Sequence, residues 1–191
     1  MTAHRGKKTI IPNAFTTMDG VVKKYLSENE IRAEHLILNT LCRSSEDAAK
    51  AAGTDIKNVV KTILLNCDGE TIACILCGDD RIALKKVKKI IGGKTLKLLN
   101  EKEISERTGY RVGGVPPFGY HALFIVDHEV IEREQVYCGG GSDRSLVRIE
   151  PQELLRTNKG MVAEIRSLVI GPSLSDSSRS HNKEKCAHKS K

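Results

Sequence analysis

Apolar and polar positions follow two periods along the chain, and these predict short helices and short strands in mixed order. Helical spacing predicts helices over about 17–29, 44–53, 82–91, 101–108 and 152–155. Apolar and β-branched runs predict strands over 35–39, 59–66, 71–77, 96–99, 123–127, 135–138 and 145–149. Such a mixture predicts an α+β fold: a single domain with a central mixed, mostly antiparallel, barrel-like sheet flanked by helices.

The two ends of the chain lack this periodicity. We expect residues 1–14 to form a disordered basic segment, 15–170 to form the folded domain, and 171–191 to form a disordered basic tail, because polar segments bury too little apolar surface to order themselves. The two end segments carry most of the net charge of +7. A basic tail could add salt-sensitive affinity for RNA, or it could only keep the protein soluble.

Composition narrows the class of protein further. No apolar run reaches the ~20 residues of a membrane helix, and no apolar run follows the basic start, so we expect neither a membrane partner nor a secretory signal. Six cysteines scattered through apolar segments favour reduced thiols and a cytoplasmic location. Cys74 and Cys77 should point to opposite faces of one strand, so we expect neither a metal nor another cofactor.

The most unusual stretch is the loop over 109–121, here called the central loop. Four glycines and two adjacent prolines fall within eleven of its residues, from Gly109 to Gly119, and His121 follows. Proline fixes φ and removes a backbone donor, whereas glycine permits positive φ and close approach of other atoms. The pattern therefore predicts a stiff, irregular loop, which either binds a ligand or only connects two strands.

Four further features are candidates for chemistry. Lys61 lies within an apolar strand, where it either lies at the floor of a pocket or extends to solvent from an edge strand. The glycine turn, residues 139–142, either offers clustered N–H groups to an oxyanion or is a plain hairpin turn. His121 could be a general base, a phosphate contact or a structural residue. Cys138 could be a nucleophile, although no neighbour in sequence would activate it.

Several of these pieces occur together and in order, and the chain resembles the YbaK/EbsC/ProX family of aminoacyl-tRNA editing domains, which is also found within bacterial prolyl-tRNA synthetases. The similarity spans about 30–155. Its matching segments are 45–53, Val60-Lys61-Thr62, Leu84-Lys85-Lys86, Thr108-Gly109-Tyr110, 113–119, Ile125-Val126-Asp127 and Gly139-Gly140-Gly141.

The resemblance implies a deacylase acting in trans, which hydrolyses the ester of a mischarged tRNA and needs no cofactor. Its partners would be that tRNA, through its 3′-aminoacyl-adenosine end, and an aminoacyl-tRNA synthetase. Lys61 would be the catalytic lysine. The substrate-binding residues would be Thr62, Gly113, Gly114, Val115, Pro116, Pro117, Phe118, Gly119, His121, Gly139, Gly140, Gly141 and Ser142.

The amino acid that would be removed stays open. The loop reads Gly-Gly-Val-Pro-Pro-Phe-Gly over 113–119, whereas cysteine-type members look more like Gly-Gly-Ile-Ser-Pro-Leu-Gly, and Ala83 stands where many relatives have Asp. The resemblance implies Cys-tRNA(Pro) or another misacylated tRNA(Pro), with alanine, serine and threonine as further candidates. A tRNA- or nucleotide-binding module without catalysis, and a hydrolase that uses Cys138, are the alternative functions.

Overall fold

A computed structural model describes residues 17–167, so the predicted segments 1–14 and 171–191 lie outside the described residues. The helices are α1 (Met18–Glu28), α2 (Ser45–Ala52), α3 (Leu84–Ile91), α4 (Glu101–Thr108), α5 (His128–Ile131) and α6 (Pro151–Asn158). The strands are β1 (Ala33–Ile37), β2 (Val60–Cys67), β3 (Glu70–Cys77), β4 (Leu96–Leu98), β5 (Leu123–Asp127), β6 (Val136–Gly139), β7 (Ser145–Ile149) and β8 (Met161–Ala163). A short 3-10 turn, Ile56–Asn58, precedes β2.

Local capping explains where the helices begin and end. The side chain of Thr17 accepts a hydrogen bond from the N–H of Gly20 at the start of α1, and that of Ser44 accepts from Asp47 at the start of α2. Asn100 and Glu103 form a reciprocal capping box at α4. These contacts satisfy N–H groups that have no partner within the helix, so the predicted helix starts are confirmed at each place.

The strands form two sheets. One has five strands in the order β4-β2-β3-β5-β8, and the other has three in the order β1-β7-β6. Four neighbouring pairs are antiparallel, and the β3–β5 and β5–β8 pairs are parallel. The α+β class and the mixed, mostly antiparallel pairing are confirmed. The expectation of one barrel-like sheet is wrong for the described part of the chain: the sheets approach at an isolated bridge between Val59 and Tyr137, and no closed barrel forms.

The five-stranded sheet separates two apolar clusters because successive side chains of a strand point to opposite faces. One face contributes Leu64, Ala73 and Ile75 to a cluster that also holds Phe118 and Val147. The other face contributes Leu65, Cys74 and Leu76 to a cluster under α3. Cys74 and Cys77 fall in different clusters, as their spacing predicts.

Helix α3 buries less of its surface than its sequence predicts. We expect Leu84, Val87, Ile90 and Ile91 to face inward, but only Val87 is fully buried, and Leu84 and Ile90 are 37% and 38% exposed. The helix is short and contacts the sheet along a narrow stripe centred on Val87. Lys85, Lys88 and Lys89 are exposed, as expected.

Two elements have no predicted counterpart: the four-residue helix α5 and the three-residue strand β8. Strand β8 pairs in parallel with β5, so its position depends on a distant partner instead of a local turn. Within residues 17–167, no helix is both long enough and apolar enough to cross a bilayer.

Candidate functional site

The candidate site is a cleft beside the first half of β2. Strand β3 pairs with β2 along its whole length, but on the opposite side β4 pairs only with Leu65–Cys67. The first half of β2 therefore borders a cleft of about 290 Å³ instead of a neighbouring strand. The cleft is lined by Cys42, Arg43, Ser44, Ser45, Ala48, Val59, Val60, Lys61, Thr62, Ile63, Ile104, Val112, Gly113, Val115, Gly139, Ser142, Ser145 and Leu146.

Lys61 lines this cleft and is half-buried. Its Nζ donates one hydrogen bond of 2.8 Å to the carbonyl of Gly78, just beyond the end of β3. An ammonium has three donors, so two have no partner among residues 17–167 and are left for a ligand. The position matches a lysine at a pocket wall better than one extended to solvent.

Thr62 follows Lys61 and faces the other side of β2. It too lines the cleft, and its Oγ1 is buried without a hydrogen-bond partner among the described residues. A buried hydroxyl without a partner is uncommon, because its desolvation costs free energy that a hydrogen bond would offset. The hydroxyl of Thr62 can therefore donate to, or accept from, a molecule in the cleft.

The first turn of α2 forms a second wall, with Ser44, Ser45 and Ala48 among the lining residues. The N-terminal end of a helix carries partial positive charge. The pKa of the Glu46 carboxyl is lowered mainly by a hydrogen bond from its own backbone N–H, then by Ser44, with a smaller contribution from the charge of Lys61. The Glu46 carboxylate itself is exposed and does not line the cleft.

The central loop contributes only part of its length to the cleft. Val112, Gly113 and Val115 line it, and Gly113 has a positive φ of 92°. The N–H of Gly114 is used by the carbonyl of Arg111, whereas that of Gly113 has no partner among the described residues and is available to a ligand.

The rest of the central loop packs into the core. Pro116, Pro117 and Phe118 are buried, and the Phe118 ring stacks on Tyr25 with centroids 5.7 Å apart. Gly119 lies against the same tyrosine ring. His121 is exposed and does not line the cleft. Of the predicted site residues, the structure thus brings Lys61, Thr62, Gly113, Val115, Gly139 and Ser142 to the cleft. It places Gly114, Pro116, Pro117, Phe118, Gly119, His121, Gly140 and Gly141 outside its lining.

The glycine turn does not offer free donors to an oxyanion. The N–H of Gly140 is bonded to the carbonyl of Ser145, that of Gly141 to the carbonyl of Gly114, and that of Ser142 to the hydroxyl of Ser145. The glycines instead permit close backbone contact: a Cβ on Gly139 would lie 2.5 Å from the carbonyl oxygen of Val115. The turn therefore packs the central loop closely against β6 and β7.

Ser145 is a site residue that the sequence did not single out. Its Oγ donates a hydrogen bond of 2.6 Å to Asp19 in α1 and accepts one from the N–H of Ser142. This contact joins α1 to the glycine turn across 126 positions of sequence, and no local pattern reveals such a pair. Ser142 and Ser145 both line the cleft.

The cysteines divide between core and cleft. Cys138 is fully buried, its thiol donates to the carbonyl of Val147, and burial raises its pKa to about 12. A neutral, enclosed thiol is a poor nucleophile, so the structure disfavours a hydrolase based on Cys138. Cys42 does line the cleft, and burial, followed by the charges of Asp47 and Asp143, raises its pKa as well.

The fold and the cleft together define a class: a small α+β domain that offers a lysine, hydroxyls and a free backbone N–H to a ligand held between rigid loops. The protein-family model described as "Aminoacyl-tRNA editing domain" matches residues 40–157, more than half of the chain. The chain therefore belongs to the aminoacyl-tRNA editing domain family. The cleft is built mainly from the matched residues.

Curated relatives fall into two groups by length. The chain is 30% identical over 112 residues to "Uncharacterized protein YwhH" of Bacillus subtilis, covering 57% of this chain and 71% of the relative. It is 27% identical over 126 residues to the "Putative Cys-tRNA(Pro)/Cys-tRNA(Cys) deacylase EbsC" of Enterococcus faecalis, covering 64% and 76%. A "Proline--tRNA ligase" of Maridesulfovibrio salexigens is 31% identical over 95 residues. The aligned region covers 49% of this chain but only 16% of that enzyme.

Solved structures give the same fold. The "hypothetical protein APE2540" superposes with a TM-score of 0.72 at 29% identity, covering 76% of this chain and 99% of that one. A chain described as "a putative trans-editing enzyme for prolyl tRNA synthetase" superposes with a TM-score of 0.70 at 26% identity, covering 76% and 96%.

Proposed function

We propose that this protein is an aminoacyl-tRNA deacylase that acts in trans and hydrolyses the ester between a wrong amino acid and the 3′-terminal adenosine of tRNA. The carrier is tRNA(Pro), with cysteine as the first candidate amino acid. This proposal is supported by the family match and by the similarity to two proteins: the Enterococcus protein named as a putative Cys-tRNA(Pro)/Cys-tRNA(Cys) deacylase, and the solved chain described as a putative trans-editing enzyme. A synthetase partner and action in the cytoplasm belong to the same proposal.

One observation carries the proposal: Lys61 and Gly113 line the same cleft, and within residues 17–167 the Lys61 ammonium uses only one of its three donors. An ester carbonyl oxygen becomes negatively charged when water attacks its carbon. Cations and N–H groups fixed in place stabilise that charge without having to reorganise, and such stabilisation is often the largest catalytic contribution.

Hydrolysis of the ester requires few further groups from the protein. Water adds to the ester carbon, the bond to the ribose oxygen breaks, that oxygen takes up a proton, and the products are a free amino acid and a tRNA ending in a hydroxyl. An aminoacyl ester is already activated, so holding it in the right orientation beside water provides much of the remaining acceleration. The hydroxyls of Thr62, Ser142 and Ser145 lie on the walls where they could orient the substrate or the water.

The test is a deacylation screen of the full chain and of Lys61→Ala over a panel of mischarged tRNAs that includes Cys-, Ala-, Ser- and Thr-tRNA(Pro). We expect the parent to hydrolyse at least one member and Lys61→Ala to lose on the order of 100-fold or more in rate, the size of effect seen when one oxyanion donor is removed. Lys85→Ala is the matched control, because Lys85 is an exposed lysine of α3 outside the cleft.

Two outcomes would contradict the proposal. Equal rates for Lys61→Ala and the parent would remove Lys61 from the reaction. Binding of tRNA without hydrolysis of any member of the panel would instead favour a non-catalytic tRNA- or nucleotide-binding module of the same fold. A Thr62→Val variant, which removes only the hydroxyl, tests whether its buried oxygen takes part in substrate binding.

A further inference from the structure

Three arginines lie at one border of the cleft, which we call its mouth: Arg43 lines the cleft, Arg111 directly precedes the lining residue Val112, and Arg144 directly precedes the lining residue Ser145. All three are exposed. We call them the arginine rim. They are separated by 68 and 33 positions in sequence, so only the fold brings their loops together.

Backbone contacts next to these residues fix the loops to one another. The N–H of Cys42 donates to the carbonyl of Asp143 over 2.7 Å, which places the residues before Arg43 and Arg144 in direct contact. Gly113 lies against the Cys42 carbonyl, since a Cβ there would be 4.0 Å from that oxygen. The rim is therefore a set of long side chains carried by a rigid support.

The positive charges of the rim arginines are not paired within the described part of the chain. Within residues 17–167, none of their guanidinium groups makes an ion pair or a hydrogen bond to another described residue. Most other described arginines are engaged with carboxylates, carbonyls or hydroxyls. These are Arg32, Arg107, Arg133, Arg148, Arg156 and Arg166. Arg81, the remaining one, does not line the cleft and lies in the turn between β3 and α3.

Nearby carboxylates do not cancel the rim. Asp47 accepts from the backbone N–H of Arg43, and Asp19 accepts from the hydroxyl of Ser145. Within residues 17–167, neither carboxylate forms an ion pair with a rim guanidinium group. Asp143 is exposed, but its side chain is short, whereas an arginine can extend well beyond it into solvent. Exposed, unpaired guanidinium groups at a cleft mouth match an anionic partner that reaches past the cleft.

We propose that the arginine rim binds the phosphodiester backbone of the RNA whose esterified end enters the cleft. This inference rests on the proposed function, because that function puts a 3′-terminal adenosine at Lys61 and the preceding nucleotides at the mouth. Guanidinium groups pair with phosphate oxygens through two N–H donors at once, and such contacts position a nucleic acid without reading its sequence.

A second basic surface serves as the comparison. Helix α3 exposes Lys85, Lys88 and Lys89, and its residues do not line the cleft. It packs on the five-stranded sheet through Val87. The three lysines therefore form an exposed basic surface of the same charge that lies outside the cleft lining.

The experiment compares two triple variants of the full chain that lose the same charge. One is Arg43→Gln with Arg111→Gln and Arg144→Gln, and the other is Lys85→Gln with Lys88→Gln and Lys89→Gln. Binding of uncharged tRNA(Pro) is measured from about 50 to 200 mM salt. We expect the arginine triple to bind tRNA at least about tenfold more weakly than the parent at low salt. Its slope of log binding constant against log salt concentration should be smaller than that of the parent by about 2, since each phosphate contact contributes ~0.7–0.9 to the slope. The lysine triple should keep the parent slope to within about 1.

A triple variant with lysine in place of arginine at the three rim positions should retain most of the salt dependence of binding, because lysine keeps a positive charge at each position. The inference is overturned if the arginine triple binds like the parent, or if the lysine triple loses as much affinity as the arginine triple. These measurements use uncharged tRNA and no hydrolysis, so they can fail while Lys61→Ala still abolishes deacylation, and the reverse also holds. Where deacylation is measured, we expect the arginine triple to raise the KM for aminoacyl-tRNA far more than it lowers kcat.

Discussion

The N–H of Gly141 donates a hydrogen bond of 2.9 Å to the carbonyl of Gly114, and this contact joins the glycine turn to the central loop. The two backbones touch: a Cβ on Gly114 would lie 2.7 Å from the carbonyl carbon of Gly141. The wall of the cleft formed by the central loop and the glycine turn is therefore fixed by backbone packing, and the two glycines at the contact lie outside the cleft lining.

We predict that Gly114→Ala displaces this wall. The added methyl group meets main-chain atoms that cannot move alone, so one loop must shift, at a cost of about 1–3 kcal/mol in the free energy of unfolding. Activity should fall by at least about tenfold even where the variant is fully folded, because misplacing catalytic groups by an ångström is costly. Urea unfolding and single-turnover deacylation measure the two effects separately.

Gly109→Ala is the control for Gly114→Ala. Gly109 ends α4 with a positive φ of 81°, and a Cβ there meets no atom within 4 Å. Alanine at this position should cost a similar free energy of unfolding through backbone strain but should leave the wall in place. Equal losses of activity in the two variants would show that the Gly114 contact does not shape the cleft.

Elements with local signals could be predicted closely from the sequence. Helix α4 has its capping box and its terminal glycine within the segment itself, and β5 and β7 are compact apolar runs, so their predicted bounds agree with the structure. Strand β8 has only three residues and is held by parallel pairing with β5, which no local pattern encodes. The division into two sheets depends in the same way on pairing between distant segments.

The candidate site was predictable in part for the same reason. Lys61 stood out because a charged residue is unusual in an apolar strand, and the structure puts it at the cleft. Ser145 did not stand out, since its link to Asp19 exists only in the fold. The sequence marks the central loop as one segment, but glycine and proline are as typical of packed loops as of binding loops. Only the fold shows that Gly113 lies at the cleft and Phe118 in the core.

Phe118 is expected to act through packing. It is 1% exposed and stacks on Tyr25, so Phe118→Leu should lower the free energy of unfolding by about 1–2 kcal/mol through lost contacts and a small cavity. Below the unfolding transition, the KM for aminoacyl-tRNA should change little. A large rise in KM without a loss of stability would indicate instead that the ring contacts the substrate.

Cys138→Ala should retain full deacylation. The thiol is enclosed and its pKa is raised to about 12, so it is neutral at physiological pH. The same burial predicts slow alkylation by iodoacetamide in the folded protein and fast alkylation in urea, which mass spectrometry can follow residue by residue. Loss of deacylation in a folded Cys138→Ala variant would contradict this prediction and favour a hydrolase that uses the Cys138 thiol.

Glu153 links α6 to Arg32, the residue just before β1, and should make stability depend on pH. Its side chain is buried, accepts from the side chain of Arg156 and the backbone N–H of Arg32, and has its pKa lowered to about 2, chiefly by the Arg156 hydrogen bond. A carboxyl group whose folded pKa lies below its unfolded value stabilises the fold above the unfolded pKa. That stabilisation is lost as the pH falls toward the folded pKa.

We therefore expect Glu153→Gln to lower the free energy of unfolding by about 2–3 kcal/mol at pH 7, since each unit of pKa difference corresponds to ~1.4 kcal/mol. The difference from the parent should shrink to about 1 kcal/mol at pH 3, where much of the unfolded chain is protonated at this residue. Urea unfolding at both pH values measures it. Glu134→Gln, at an exposed glutamate, removes the same charge and should stay within about 0.5 kcal/mol of the parent at pH 7. A difference between Glu153→Gln and the parent that does not change from pH 7 to pH 3 would mean that the ionised Glu153 carboxylate is not what holds α6 to the segment before β1.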